Sequence, residues 1–143
     1  MSFRRILMAL DESPVAAHAA SVAADLAGAL HAELALVYVI DPKLACLPDS
    51  AIAPAEMMVS LKHDGTVFLD RAAEHLGGIS PWRFVREGTP ADEILAAARE
   101  WEPDLIVIGT HGRSGVSRVV LGSTAESVVR HARCPVVVVR ARE

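Results

Sequence analysis

Glycines and small hydroxyl side chains are concentrated in one stretch of the chain, GTHGRSGVSRVVLGST, which runs from Gly109 to Thr124. The stretch begins at the end of the apolar run LIVIG and leads into the helix-like segment AESVVRHAR. Glycine lets backbone N–H groups come close to an anion because no Cβ stands in the way. A helix that begins at Ser123 and Thr124 adds unpaired N–H groups and a positive dipole end. This arrangement predicts an anion site of the kind that holds nucleotide phosphates.

Two charged residues extend the predicted site. Arg113 lies inside the glycine stretch and would add charge-assisted hydrogen bonds to a phosphate chain. Asp11 follows the apolar run RILMAL, so it faces the same crevice if the strands formed by RILMAL and LIVIG are neighbours. Simpler interpretations stay open. The glycines can serve turns and close packing, Asp11 can begin a turn, and His111 and Arg113 can be solvated loop side chains.

Several other kinds of chemistry find no support in the sequence. There is no GxxxxGK[ST] phosphate loop and no GxGxxG dinucleotide motif. The other five histidines lack metal-ligand spacing, and no Ser-His-Asp or Cys-His arrangement can be argued. A formal net charge of -4 provides no general attraction for nucleic acid.

Composition also predicts where the protein works. Two cysteines, Cys46 and Cys134, make no disulfide framework, which favours a reducing cytoplasm. The apolar run Ile6 to Leu10 is too short for a secretion signal, and no run reaches the roughly 18 residues of a membrane span. We therefore expect a cytoplasmic protein without membrane contact, formed by a single domain over residues 1–143.

The elements that must position these residues follow from the apolar pattern. Short apolar runs alternate with longer helix-forming segments, and several runs are apolar at every position, as in strands covered on both faces. The strand candidates are 5–10, 33–40, 82–87, 104–109 and 135–140, and the helix candidates are about 14–30, 54–76, 90–101 and a segment after Gly122. WRFVR alternates, which predicts an edge strand. This order predicts an α/β fold, an open parallel sheet with right-handed crossovers and helices on both faces.

Helix ends and loops can also be predicted locally. Ser13 followed by Pro14 predicts an N-cap and first helical position. Ser123 with Glu126 three residues later matches a capping box. The irregular segment 41–53 is expected to be a loop.

The spacing Gly109, two residues, Gly112, nine residues, Gly122-Ser123 resembles the ATP-binding signature of the universal stress protein family. The resemblance covers the whole chain, because RRILMALDESPVA, VYVID and ARCPVVVVR are also similar to family segments. It implies a five-stranded sheet of order 3-2-1-4-5, Rossmann-like and of the adenine nucleotide alpha hydrolase-like type. It also implies a regulatory stress-response dimer that binds ATP, with Mg²⁺ or Mn²⁺.

The resemblance further assigns residues to the nucleotide. Those carried over from the family pattern are Ala9, Asp11, Val39, Ile108, Gly109, His111, Gly112, Arg113, Gly122, Ser123 and Thr124. Ala9 departs from the proline or valine of other members, so its backbone is implied more than its side chain. Two other functions stay open: a slow ATPase or related nucleotide-processing enzyme, and a structural dimer that binds no nucleotide.

The last strand predicts how copies assemble. In the order 3-2-1-4-5 it is an edge strand, yet Val136 to Val139 carry neither charge nor proline to protect the edge. Four β-branched residues on a free edge favour aggregation, and antiparallel pairing with a second copy is the simplest closed solution. We therefore expect a homodimer through residues 136–140, as the family resemblance also implies.

Overall fold

Five parallel strands form one sheet at the centre of the computed structural model, which describes residues 2–46, 48, 51–110 and 121–140. The strands are β1 Arg5–Leu10, β2 Glu33–Ile40, β3 Trp82–Glu87, β4 Leu105–Gly109 and β5 Val136–Val139. Their order is β3-β2-β1-β4-β5, and every neighbouring pair is parallel. The predicted strand order is confirmed, and so is the edge position of β3.

The helices lie two on each face of this sheet. They are α1 Ala16–Leu30, α2 Pro54–Glu74, α3 Pro90–Trp101 and α4 Ser123–His131. Alternate β1 side chains point to opposite faces, so Ile6 and Met8 pack with α1 and α2, whereas Leu7 packs with α3 and α4. The central strands are apolar at nearly every position because they have a helical layer on both sides.

The start of α1 differs from the prediction. The helix begins at Ala16, and the predicted cap Ser13 lies in the preceding turn, where its carbonyl accepts the Ala16 N–H at 3.1 Å. The Asp11 carboxylate accepts the Ser13 N–H at 2.9 Å, which stabilises this turn. The N-cap position falls on Val15, which has no side chain able to cap. The prediction of a Ser13 cap with Pro14 at the first helical position was therefore wrong.

The predicted capping box at α4 was also wrong. Gly122 occupies the N-cap position, Ser123 is already inside the helix, and in the described part of the chain no side chain caps the helix. The Glu126 carboxylate instead pairs with Arg130 one turn later, at 2.9 Å. The Gly122 N–H donates to the Thr110 carbonyl at 2.6 Å, and this long-range bond sets where the helix begins.

Two smaller differences concern α2 and the segment before it. The helix ends at Glu74, two residues before the predicted end. The segment 41–53, predicted as a loop, contains a short 3-10 helix over Pro42–Ala45. The Asp41 carboxylate accepts the Lys43 N–H at 3.0 Å and thereby caps this turn.

Candidate functional site at the carboxyl ends of β1 and β4

A crevice of about 400 Å³ opens where β1 and β4 end. The helices that follow these two neighbouring strands, α1 and α4, lie on opposite faces of the sheet, which is the position where open α/β sheets bind ligands. Eight of the predicted site residues line it: Ala9, Asp11, Val39, Ile108, Gly109, Gly122, Ser123 and Thr124. The other three, His111, Gly112 and Arg113, lie outside the described residues.

The inner wall of the crevice is apolar. Ala9 and Ile108 are register partners on β1 and β4, and both are buried. Val39 from β2 and Ile94 from α3 extend the same surface. Such a wall suits a flat, weakly polar ring system, and the small side chain of Ala9 leaves room beside the strand.

Asp11 begins a turn before α1, as the simpler interpretation of this residue predicted. One carboxylate oxygen accepts the Ser13 N–H at 2.9 Å. Within the described ranges, the other oxygen has no hydrogen-bond partner, and the residue is exposed at the crevice. The turn therefore orients a carboxylate that still has acceptor capacity for ligand hydroxyl groups.

Gly109 is required for close packing. A Cβ built on it would lie 2.7 Å from Cγ1 of Val15, which follows the Asp11 turn. Hence this glycine lets the turn before α1 pack directly against the end of β4. Sequence reasoning raised this possibility for the glycines in general but did not identify Val15 as the partner.

The start of α4 supplies backbone donors to the crevice. The first intrahelical bond runs from Glu126 N–H to the Gly122 carbonyl, at 2.9 Å. The N–H groups of Ser123, Thr124 and Ala125 precede that bond, so they have no partner inside the helix, and no side chain of the described residues caps them. All three residues line the crevice, and with the helix dipole they favour an anion there.

A hydrogen bond behind the crevice ties the Asp11 turn to β2. The Tyr38 hydroxyl donates to the Glu12 carboxylate at 3.1 Å. Burial, followed by the nearby charge of Glu12, raises the pKa of Tyr38 to about 12. The phenol therefore remains a protonated donor throughout the physiological range.

Sequence reasoning missed part of the lining because it comes from packing between elements. These residues are Leu10, Ser13, Ala16, Pro90, Ile94, Thr110 and Ala125. The position of α3 offered a signal, since Pro90 closely follows the carboxyl end of β3 and so lies at the ligand-binding edge of the sheet.

The described residues contain neither a candidate metal site nor a candidate membrane span. In the ranges 2–46, 48, 51–110 and 121–140, no group of three or more His, Cys, Asp or Glu side chains could hold a metal ion. None of the helices in those ranges is long and apolar enough to cross a membrane.

The fold and the crevice define an α/β protein with an open crevice at a switch point of its sheet. The model of the universal stress protein family matches residues 2–140, so the chain belongs to this family. A universal stress protein of Methanocaldococcus jannaschii is 35% identical over 142 residues, which cover 96% of this chain and 82% of that protein. The universal stress protein YxiE of Bacillus subtilis is 32% identical, with coverage of 96% and 99%.

Solved structures share the whole architecture. UspA of Lactobacillus plantarum has a TM-score of 0.84 at 27% identity and covers 98% of this chain and 99% of its own. A universal stress protein solved in complex with cAMP has a TM-score of 0.69 at 22% identity, with coverage of 99% and 100%. At that identity the second likeness establishes the fold alone.

Proposed function

We propose that this protein binds ATP in the crevice between β1 and β4 and acts as a regulatory stress-response protein in the cytoplasm. The observation that carries the proposal is the uncapped start of α4, which lines the crevice with three residues whose N–H groups lack helical partners. It supports a phosphate site because unpaired N–H groups and the helix dipole both favour negative charge. The glycine spacing that resembles the family's ATP signature leads into this same helix.

The remaining parts of the nucleotide fit the rest of the lining. The apolar wall around Ala9, Val39 and Ile108 suits the adenine ring, and the available oxygen of Asp11 suits the ribose hydroxyls. His111, Gly112 and Arg113 complete the proposed phosphate site, as their sequence positions imply. A bound Mg²⁺ or Mn²⁺ would be held largely through phosphate oxygens, as is usual for magnesium-nucleotide sites.

Cyclic nucleotide is the natural competitor, since a structural neighbour carries cAMP. The three phosphates of ATP can accept hydrogen bonds from both the start of α4 and Arg113, whereas cAMP has a single ring phosphate with one negative charge. The proposal therefore requires ATP to bind more tightly than cAMP.

The proposed ligand can be tested directly. Protein purified from cells is denatured, and any released nucleotide is identified by mass. Nucleotide-free protein is then melted with ATP and Mg²⁺. At one hundred times its dissociation constant ATP adds about 2.7 kcal/mol, or roughly 5 to 10 °C in Tm for a chain of this size.

A matched pair of glycine variants locates the site. Gly122 has φ -64° and ψ 159°, a conformation that valine adopts freely, so Gly122→Val should fold while obstructing phosphate approach. We expect it to lose the ATP-induced shift, whereas Gly28→Ala, remote on α1, keeps it. No shift in nucleotide-free wild type would refute ATP binding, and equal shifts in both variants would refute the site.

We also propose that two copies pair through β5, over residues 136–140. The two edges of the sheet differ in protection. The β3 edge carries Arg83, Arg86 and Glu87, whereas β5 has only valines. Charged edges resist further pairing, and an unprotected β-branched edge invites it. The contrast supports β5 as the edge that a second copy covers.

The hydrogen bonds of β5 suggest a sharp test. The carbonyls of Pro135 and Val139 accept hydrogen bonds from β4. Because the backbone groups of alternate residues point to the same side of a strand, those of Val137 also point toward β4, whereas the N–H groups of Val136 and Val138 point outward. Val138→Pro therefore removes an outward donor and should give a folded monomer, whereas Val137→Pro removes a sheet bond and should destabilise the fold.

Light scattering after gel filtration reads the mass, and circular dichroism reads the fold. Val138→Lys adds a charge to the same edge without proline and should also give monomer. A wild type that is monomeric at tens of micromolar, or a dimer that survives both changes at Val138, would refute pairing through β5.

A further inference from the structure

A second cavity, of about 720 Å³, lies on the opposite face of the sheet, between α1 and α2. We call it the α1–α2 groove. Its lining is mostly apolar, with a few charged side chains at the margins. The lining residues are Leu10, Asp11, Glu12, Ser13, Ala16, Ala17, Ala20, Ser21, Phe68, Arg71, Ala72, His75 and Leu76. A volume of this size and a lining of this kind are typical of small-molecule sites.

The groove follows from the residues that the two helices direct at each other. α1 contributes Ala16, Ala17 and Ala20, whose short side chains cannot fill the space to α2. The one large ring on the α2 side, Phe68, packs with Tyr38, with centroids 5.1 Å apart. It therefore forms a wall of the groove and leaves the interior open.

The charges at the margin differ in how they are used. The Glu12 carboxylate accepts from Tyr38, and one oxygen of the Asp11 carboxylate accepts from the Ser13 N–H. Arg71, by contrast, makes no side-chain hydrogen bond or ion pair with any residue that the structure describes.

Among the residues that the structure describes, four arginines pair with a carboxylate, and other exposed arginines, Arg71 among them, pair with none. Arg5, Arg83, Arg86 and Arg130 each lie within 4 Å of a glutamate or aspartate oxygen. Arg71 contacts His75 through its backbone carbonyl alone, which lies 2.8 Å from Nδ1 of His75. The Arg71 guanidinium is thus a planar set of donors next to an apolar groove.

We propose that the α1–α2 groove is a second ligand site, which binds small apolar monocarboxylates. The apolar body of the ligand lies between the helices, and its carboxylate pairs with Arg71. A guanidinium matches a carboxylate with two parallel hydrogen bonds. The acids at the other margin, Asp11 and Glu12, disfavour a second negative charge, which selects singly charged ligands over phosphate esters.

Octanoate and 1-octanol make a matched pair of probes, because they share a chain and differ in charge. We expect octanoate to bind more tightly by calorimetry, since only the carboxylate uses Arg71. In a series of shorter acids, each methylene removed should weaken binding about threefold to fourfold. Equal affinities for acid and alcohol, or no binding of either, would overturn the proposal.

Separate variants test the role of the Arg71 charge and the location of the bound ligand. Arg71→Gln should weaken octanoate about tenfold while leaving octanol unchanged, and Arg71→Lys should retain part of the difference. Lys62→Gln, on the same helix but outside the groove, is the control for general charge. An equal loss in Lys62→Gln would show that net charge, and not Arg71, attracts the acid.

Ala17 is exposed at the groove, so Ala17→Phe should fold normally and exclude both probes. Unchanged binding in this variant would place the probes elsewhere and refute the site. These measurements are made on nucleotide-free protein, so their outcome does not depend on whether the crevice binds ATP.

Discussion

Replacing Gly109 by alanine tests how the crevice is built. The new Cβ would lie 2.7 Å from Cγ1 of Val15, about 1 Å inside an ordinary carbon–carbon contact. Val15 is only 5% exposed and β-branched, so its side chain can neither swing into solvent nor rotate freely. The turn before α1 must therefore move or strain. Overpacking of this kind costs about 1 to 3 kcal/mol of unfolding free energy.

Urea unfolding measures this cost. The midpoint should fall while the slope stays constant, because the folded and unfolded surfaces change little. Thermal melting should show a lower Tm, by about 2 to 4 °C for each kcal/mol in a chain of this size.

Two further variants make the reasoning refutable. A Cβ at Gly28 meets nothing within 4 Å, so Gly28→Ala in α1 should stabilise by about 0.5 to 1 kcal/mol. Combining Gly109→Ala with Val15→Ala removes the close contact, so the double variant should lose less than the sum of the two single losses. A neutral Gly109→Ala, or full additivity in the double variant, would show that this contact does not limit the packing.

Two other predictions concern the ion and hydrogen-bond network. Tyr38 is the only tyrosine of the chain, so tyrosinate absorbance reports its pKa, which we expect near 12 in the folded protein and near 10 in urea. Because the pKa of Tyr38 is higher in the folded state, the free energy of unfolding should be unchanged below pH 10 and decline between pH 10 and 12. Glu12→Gln should lower the folded pKa. Identical titrations of the folded and unfolded protein would contradict this prediction. Arg86, 24% exposed, contacts Glu93 at 2.9 Å and a second glutamate of α3 at 2.8 Å. Arg86→Gln should lower the free energy of unfolding in urea by about 1 to 3 kcal/mol. Arg83→Gln should lower it by at most about 1 kcal/mol, because the Arg83 side chain is 43% exposed, and equal losses would refute the difference.

The strands were predictable because their signal is local. A central parallel strand is covered on both faces, so β1 and β4 are almost entirely apolar and have sharp ends. The β3 edge was recognisable from its alternation. Asp11 and Gly109 were then expected to share a crevice because each lies at the carboxyl end of such a strand.

The helix starts were not predictable from the types of the cap residues, because a turn held by Asp11 and Ser13 precedes α1 and a long-range bond holds the residue before α4. Ser13 and Ser123 both have the right residue type for a cap, yet neither caps its helix. The bond from Gly122 to Thr110 spans the glycine stretch and was invisible to a local pattern. No described side chain caps α4, and this leaves its first N–H groups available to the proposed phosphate.

Contacts between elements were the second limit. Periodicity shows which face of α1 is apolar but not which part of it α2 covers. The α1–α2 groove forms because the α1 alanine side chains are short and Phe68, in its wall, packs against Tyr38. Val15 was missed for the same reason, since its partner Gly109 lies on a distant strand.

The two proposed sites share one wall. Leu10, Asp11, Ser13 and Ala16 line both the crevice and the α1–α2 groove, on either side of the turn between β1 and α1. The buried Ser13 hydroxyl has no hydrogen-bond partner in the described structure, so this turn is not held by a fully satisfied set of bonds.

If both proposals hold, a ligand that shifts this turn must change affinity at the other site, by a factor that is the same in both directions. We expect that factor to be about fivefold or more, measured as the octanoate dissociation constant with and without ATP, and as the ATP constant with and without octanoate. If both sites bind their ligands and neither ligand changes the affinity for the other, the shared turn is rigid and does not couple the sites.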